Sequence, residues 1–283
     1  RDLRTSESRS LTTDFDRSVS DIQWSQDSKS LWISYTDLGM VRVAKIDLRG
    51  KLRQSDIVVG GTAIGRPYTS GSFSVGGKGR LAYTLGRDDR PADVALLRPG
   101  KTPLKLTDLN GDLMGQRQMT RAERITWPSS HDAMMIEGWV MKPPGFDPAK
   151  TYPMILEIHG GPHSAYGPNY STEAQLFAAA GYVVLYTNPR GSTSYGEQFA
   201  NEIDLAYPGF DYDDLISGVD ALIDQGYVDP EQLFVTGGSG GGVLTAWIVG
   251  KTDRFRAAVV AKPVINWASF VLTADRNYFF ATT

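Results

Sequence analysis

Gly237-Gly238-Ser239-Gly240-Gly241 follows the apolar run Leu233-Phe234-Val235 and precedes the helix-like stretch Val243 to Val249. Strand, tight turn, serine and helix in that order make a nucleophile elbow. Its serine sits in a strained backbone conformation, and the flanking positions must lack side chains so that strand and helix can pass closely. Ser239 is the candidate nucleophile, and the backbone N–H of Gly240, opening the helix, can face the oxyanion formed when a carbonyl is attacked. A second loop, His159-Gly160-Gly161-Pro162-His163, directly follows an apolar strand and fits the loop that supplies the other oxyanion donor. The N–H of Gly161 is that donor, with His159 as a candidate side-chain helper. A third turn, Asn188-Pro189-Arg190-Gly191-Ser192, falls at the carboxyl edge of a strand, where ligands bind in such sheets. Arg190 is expected to brace these loops and is counted with the candidate substrate-site residues.

Other glycine-rich chemistries fail on the letters. A phosphate-binding loop ending at Gly250-Lys251-Thr252 would need glycine where Thr245 stands, and a dinucleotide turn from Gly238 would need Gly or Ala where Val243 stands.

The elements that must position these loops read as two regions. From about Glu123, strands and helices alternate, which predicts a mainly parallel sheet covered on both faces. The expected strands are Glu123 to Trp127, Met134 to Met141, Met154 to Ile158, Val183 to Tyr186, Leu233 to Val235 and Ala257 to Val260. The clearest helix is Asp211 to Gln225, with Leu215, Val219, Leu222 and Ile223 on one face and acids in its first turn. Before this the chain reads as all-β. Ile22 to Leu48 and Phe73 to Leu97 repeat one plan about 50 residues apart, the mark of propeller blades, and two blades cannot close a ring. The boundary is expected between Asn110 and Arg121, giving a propeller portion over 1–118 and an α/β portion over 119–283.

Composition narrows the classes further. The 283 residues are 41% hydrophobic and 22% charged with a net charge of −3 and no basic block, which points away from nucleic acid and anionic lipid. The longest apolar stretches fall well short of the roughly 18 to 20 residues of a membrane helix. The absence of cysteine excludes disulfides, thiol nucleophiles and thiolate zinc sites, but is compatible with cytoplasm and periplasm alike.

With these motifs in place, the sequence from Glu123 onward resembles the catalytic domain of the prolyl oligopeptidase family, nearest to its acylaminoacyl-peptidase and dipeptidyl-peptidase-like branches. The carriers are His159-Gly160-Gly161-Pro162, Asn188-Pro189-Arg190-Gly191-Ser192, Gly237-Gly238-Ser239-Gly240-Gly241 and Lys262-Pro263-Val264-Ile265-Asn266-Trp267, in the family's order. The resemblance implies an α/β-hydrolase fold, a mostly parallel sheet with helices on both faces, preceded by part of a β-propeller that caps the active site and admits short or unfolded peptides. It also implies a serine peptidase without metal or organic cofactor, whose apolar pocket is lined by Val264, Trp267 and Phe270; ordinary core packing would place the same residue types there. Two departures stand out: His159 takes the place of an oxyanion-binding tyrosine in some relatives, and Gly240 stands where many carry an aromatic.

A serine needs a base and an acid, in this fold placed after the elbow as Asp or Glu and then His. His131, His159 and His163 all precede Ser239, and no histidine comes after it. Asp253 and Asp275 come after it but precede the late strands whose ends would carry the acid. The expectation is therefore an internal portion of a longer polypeptide, with the rest of that polypeptide or a second chain supplying Asp and His, and with an open sheet edge. A homo-oligomer is compatible with the sequence. Two other readings stay open, a carboxylesterase of the same fold and a catalytically incomplete binding module.

Overall fold

The computed structural model describes residues 3–275. Two four-stranded antiparallel sheets come first, each a meander with strands in sequence order. One holds β1 (Val19–Trp24), β2 (Ser30–Asp37), β3 (Met40–Asp47) and β4 (Leu52–Val59), and the other β5 (Phe73–Gly76), β6 (Arg80–Leu85), β7 (Asp93–Leu97) and β8 (Leu104–Lys105). These are the two units that repeat in the sequence. Alternation at period two sends Val41, Val43, Ile57 and Val59 to one buried face, where they pack with Phe73, Leu81, Tyr83 and Ala95 of the second sheet.

After a short helix α1 (Gly111–Met114), a six-stranded mixed sheet is built from β9 (Ala122–Pro128), β10 (Met135–Met141), β11 (Tyr152–Ile158), β12 (Val183–Asn188), β13 (Val228–Gly238) and β14 (Phe255–Ala261). Its order is β14-β13-β11-β12-β10-β9. The last four strands in sequence are parallel, whereas β9 and β10 form an antiparallel hairpin docked antiparallel onto β12. All six expected strands are present, most of them longer than the apolar runs that announced them. β13 begins at Val228, five residues earlier than the run suggests. Its register slips between the pairs Tyr152–Val228 and Met154–Leu233, so Pro230 sits in an irregularity where no ladder hydrogen bond is required.

The connecting helices are α2 (Thr172–Ala179), α3 (Glu197–Asn201), α4 (Asp211–Ile223) and α5 (Gly240–Lys251), and α6 (Trp267–Thr273) comes after β14. Leu215, Val219 and Leu222 of α4 and Leu244 and Ile248 of α5 pack with Met154, Leu156, Ile158, Leu185 and Val235 on one face of the sheet. Ala174 and Ala178 of α2 pack with Trp139, Met141, Val184 and Tyr186 on the other. The sheet is thus covered on both faces. Its β14 side is an edge: among the described residues β14 pairs only with β13, and Val259 is 64% exposed.

The segment joining the two small sheets, residues 60–72, runs along the α/β unit. Thr172 and Gly167 donate backbone hydrogen bonds to Ile64 and Pro67, Thr69 donates to Ala165, and Tyr68 forms an isolated bridge with Tyr166. The β2–β3 turn docks nearby, with the Gly39 N–H donating to Ser194 Oγ at 2.8 Å.

Candidate active site

β13 ends in the turn that carries Ser239, and α5 starts immediately after it. Ser239 has φ 59° and ψ −119°, a backbone region that non-glycine residues enter only under constraint from their surroundings. The constraint is visible. The Ser239 N–H donates to the Ala261 carbonyl at the end of β14, and the Ser239 carbonyl accepts from Val243 inside α5. The flanking glycines are required by close approach. A Cβ on Gly237 would lie 2.3 Å from the Gly241 carbonyl oxygen, and one on Gly241 would lie 2.1 Å from the Ile158 carbonyl oxygen. Strand β11, the elbow and α5 therefore meet backbone to backbone.

The loop after β11 enters this arrangement from the other side. A Cβ on Gly160 would stand 2.7 Å from the Gly238 carbonyl oxygen and 3.1 Å from the Ser239 Cβ, so the loop lies against the elbow. Gly161 has φ +134°, a conformation that favours glycine, and a Cβ there would meet the His163 nitrogen at 2.7 Å. The position a Gly240 Cβ would take is 3.0 Å from the Gly161 nitrogen. The two candidate oxyanion residues are thus direct neighbours, and among the described residues neither N–H is donated to a protein acceptor. A free N–H at the start of a helix, facing another in the adjoining loop and beside a serine, suits a developing negative charge.

The three histidines are otherwise engaged. His159 is buried, and burial pushes its imidazole down to about 4, so the ring is neutral at ordinary pH. Its Nδ1 lies 2.9 Å from the Gly160 carbonyl, which can only accept, so Nδ1 carries the proton. Nε2 then faces the Ser192 hydroxyl oxygen at 2.9 Å, and that hydroxyl donates its one proton to the Pro189 carbonyl at 2.6 Å. His159 lies between the Gly160 loop and the Pro189–Ser192 turn, with Nδ1 directed at the Gly160 carbonyl and Nε2 at the Ser192 hydroxyl. His163 Nδ1 donates to the Gly191 carbonyl at 3.0 Å, and His131 stacks on Phe210 at 3.4 Å between ring centroids. None of the three hydrogen-bonds to Ser239.

Arg190 is held as a brace between loops. Its side chain is 2% exposed and is held by Asp214 through Nε at 2.9 Å and Nη2 at 2.8 Å, by Asp132 at 3.1 Å and by Ser129 at 3.3 Å. Its own N–H also donates to Asp214, at 2.8 Å. The third turn, β9–β10 and the first turn of α4 are thereby locked together. Of the expected pocket residues, Trp267 and Phe270 lie on α6 with their rings 5.9 Å apart edge to face, and Val264 lies in the segment between β14 and α6.

Four residues that no sequence pattern announced complete the surroundings. Tyr68 Oη accepts the Gly160 N–H at 2.8 Å. Arg66, 3.1 Å from Glu157 and 2.7 Å from Glu173, points Nη1 to within 3.0 Å of where a Gly238 Cβ would be. Glu157, in the strand that leads to the oxyanion loop, is fully buried, accepts from the Tyr166 hydroxyl at 3.0 Å, and is pushed up to about 7 by burial against the opposing pull of Arg66. Tyr207 donates to the Gly240 carbonyl at 2.7 Å. Among the described residues no group of three or more His, Asp or Glu could hold a metal, and no helix is long and apolar enough to cross a membrane.

Residues 168–282 match the model of the prolyl oligopeptidase family. The chain is 38% identical over 259 residues to an uncharacterized peptidase, YuxL, of Bacillus subtilis, covering 91% of this chain and 38% of the relative. It is 35% identical over 165 residues to dipeptidyl-peptidase 5 of Schizosaccharomyces pombe, covering 56% of this chain and 24% of that protein. The acylaminoacyl peptidase of Pyrococcus horikoshii superposes with a TM-score of 0.84 at 26% identity over 97% of this chain and 42% of its own length. The chain therefore spans well under half the length of the relatives it matches. With the α/β-hydrolase fold, the serine elbow and these matches together, the chain belongs to the prolyl oligopeptidase family.

Proposed function

We propose that this chain carries the nucleophile and oxyanion hole of a serine peptidase that hydrolyses short peptides through an acyl-enzyme. The observation that carries the reading is the pairing of a strained Ser239 with the adjacent N–H groups of Gly240 and Gly161. In the cycle, Ser239 Oγ attacks the scissile carbonyl while its proton passes to a histidine base, and the two N–H groups hold the oxyanion. Collapse expels the amine, which takes the proton back, and water then hydrolyses the ester by the same route. The base and its orienting acid come from outside the described residues, in the rest of the polypeptide or a second chain. The exposed β14 edge, where the sheet would continue, supports that placement. Val264, Trp267 and Phe270 border the apolar subsite for the residue whose carbonyl is attacked. The two four-stranded sheets are read as blades of a propeller over 1–118 that covers the catalytic part at 119–283, and the contacts of residues 60–72 with the α/β unit support this.

Hydrolysis of peptidyl p-nitroanilides against p-nitrophenyl esters by the full-length protein tests the reading. Peptide turnover that falls at least about 10³-fold in Ser239→Ala is expected. Turnover of esters alone would make the protein an esterase of the same fold, and turnover of neither would leave it a binding module.

A further inference from the structure

The position after Ser239 carries no side chain, yet the space beside it is filled. A Cβ on Gly240 would lie 3.0 Å from the hydroxyl oxygen of Tyr207, which reaches in from the loop between α3 and α4. That hydroxyl donates to the Gly240 carbonyl at 2.7 Å, while the half-buried ring meets Trp267 of α6 edge to face, with centroids 6.4 Å apart. One side chain therefore touches both the residue whose N–H faces the developing oxyanion and an aromatic bordering the apolar subsite.

We propose that Tyr207 is the positioning residue of the oxyanion hole: its hydroxyl fixes the Gly240–Gly241 peptide and so limits rotation at Gly240, whose N–H lies in the preceding peptide, and its ring couples this backbone to the Trp267 wall. Gly240 needs such a partner because a glycine at the first turn of a helix has no side chain to limit its backbone. Burial, reinforced by the charge of Asp211, raises the Tyr207 hydroxyl well above an ordinary phenol, so it stays protonated and donating at any pH where the enzyme would work. The inference rests on Ser239 being the nucleophile.

Tyr207→Phe keeps the ring and removes the donor. In the full-length protein it is expected to lower kcat, and the rate of labelling by a fluorophosphonate, about fivefold, with KM within twofold and an unchanged thermal midpoint. Tyr207→Ala also removes the ring, and is expected to raise KM for a phenylalanyl p-nitrophenyl ester at least fivefold more than for an acetyl ester. Unchanged labelling and kcat in Tyr207→Phe, or equal effects on both esters in Tyr207→Ala, would overturn the proposal. A wild-type protein that resists the probe, or labelling that persists in Ser239→Ala, would remove the Ser239 reading and this inference with it. Labelled wild type with silent Tyr207 variants would remove the inference alone.

Discussion

Around Ser239 the protein is held by backbone: Gly237, Gly241 and Gly160 let β11, β13 and α5 approach within distances at which a methyl group would collide. Around Arg190, a few residues beyond the end of β12, side chains do the holding, with a guanidinium 2% exposed clasped by a carboxylate 0% exposed. The difference stems from what each side must present. Binding an oxyanion needs bare N–H groups, and side chains in their way would block them; locking three loops together needs strong, directional partners that span several ångströms. The backbone side leaves N–H groups bare, and the charged side keeps the loops around it in register.

The largest effect is expected from breaking the charged side. Arg190→Met strands Asp214 in the interior, so stability should fall by about 3–5 kcal/mol, read by denaturant unfolding. A loss below that of an ordinary surface substitution would mean that Asp214 finds another partner. Next comes Gly241→Ala, whose new Cβ meets the Ile158 carbonyl at 2.1 Å. Separating β11 from α5 should cost up to about 3 kcal/mol and disturb the elbow, so the loss of labelling at Ser239 should exceed what the stability loss accounts for. If Arg190→Met in its folded fraction labelled more slowly than folded Gly241→Ala, the division between the two sides would be wrong.

The smallest effect concerns Glu157, where both styles meet. Its carboxyl, pushed up from 4.5 to about 7 by burial, is more readily protonated folded than unfolded. Its contribution to stability is therefore fully present below pH 4.5 and fades as pH rises through 7. Between pH 5 and 7 the fade should amount to about 2 kcal/mol, and Glu157→Gln should remove it, which thermal midpoints measured across that range would show. A difference between wild type and variant that does not change with pH would contradict the assignment.

Much of the site was legible in the letters because its parts are local. The elbow, the His159–His163 loop and the Asn188–Ser192 turn each lie directly after a strand, and each is spelled by glycines that the close approaches demand. The amphipathic face of α4 and the repeat of the two small sheets were equally visible as periodicities. Tyr68, Arg66 and Tyr207 were not. They act across 92, 107 and 33 residues through contacts made from loops, and a lone side chain in a polar loop has no period to betray it. The partners of His159 and Arg190 were not legible from type and spacing either. The brace expected of Arg190 is visible only as a role in the letters; its partners Asp214, Asp132 and Ser129, like the Ser192 and Gly160 neighbours of His159, come from the fold.

The central claim is that Ser239 is a nucleophile activated in the assembled protein. Treating the full-length protein with a fluorophosphonate and locating the adduct by peptide mass spectrometry tests it directly. A single adduct on Ser239, absent in Ser239→Ala, is the predicted result. No adduct, or one on another residue, would contradict it.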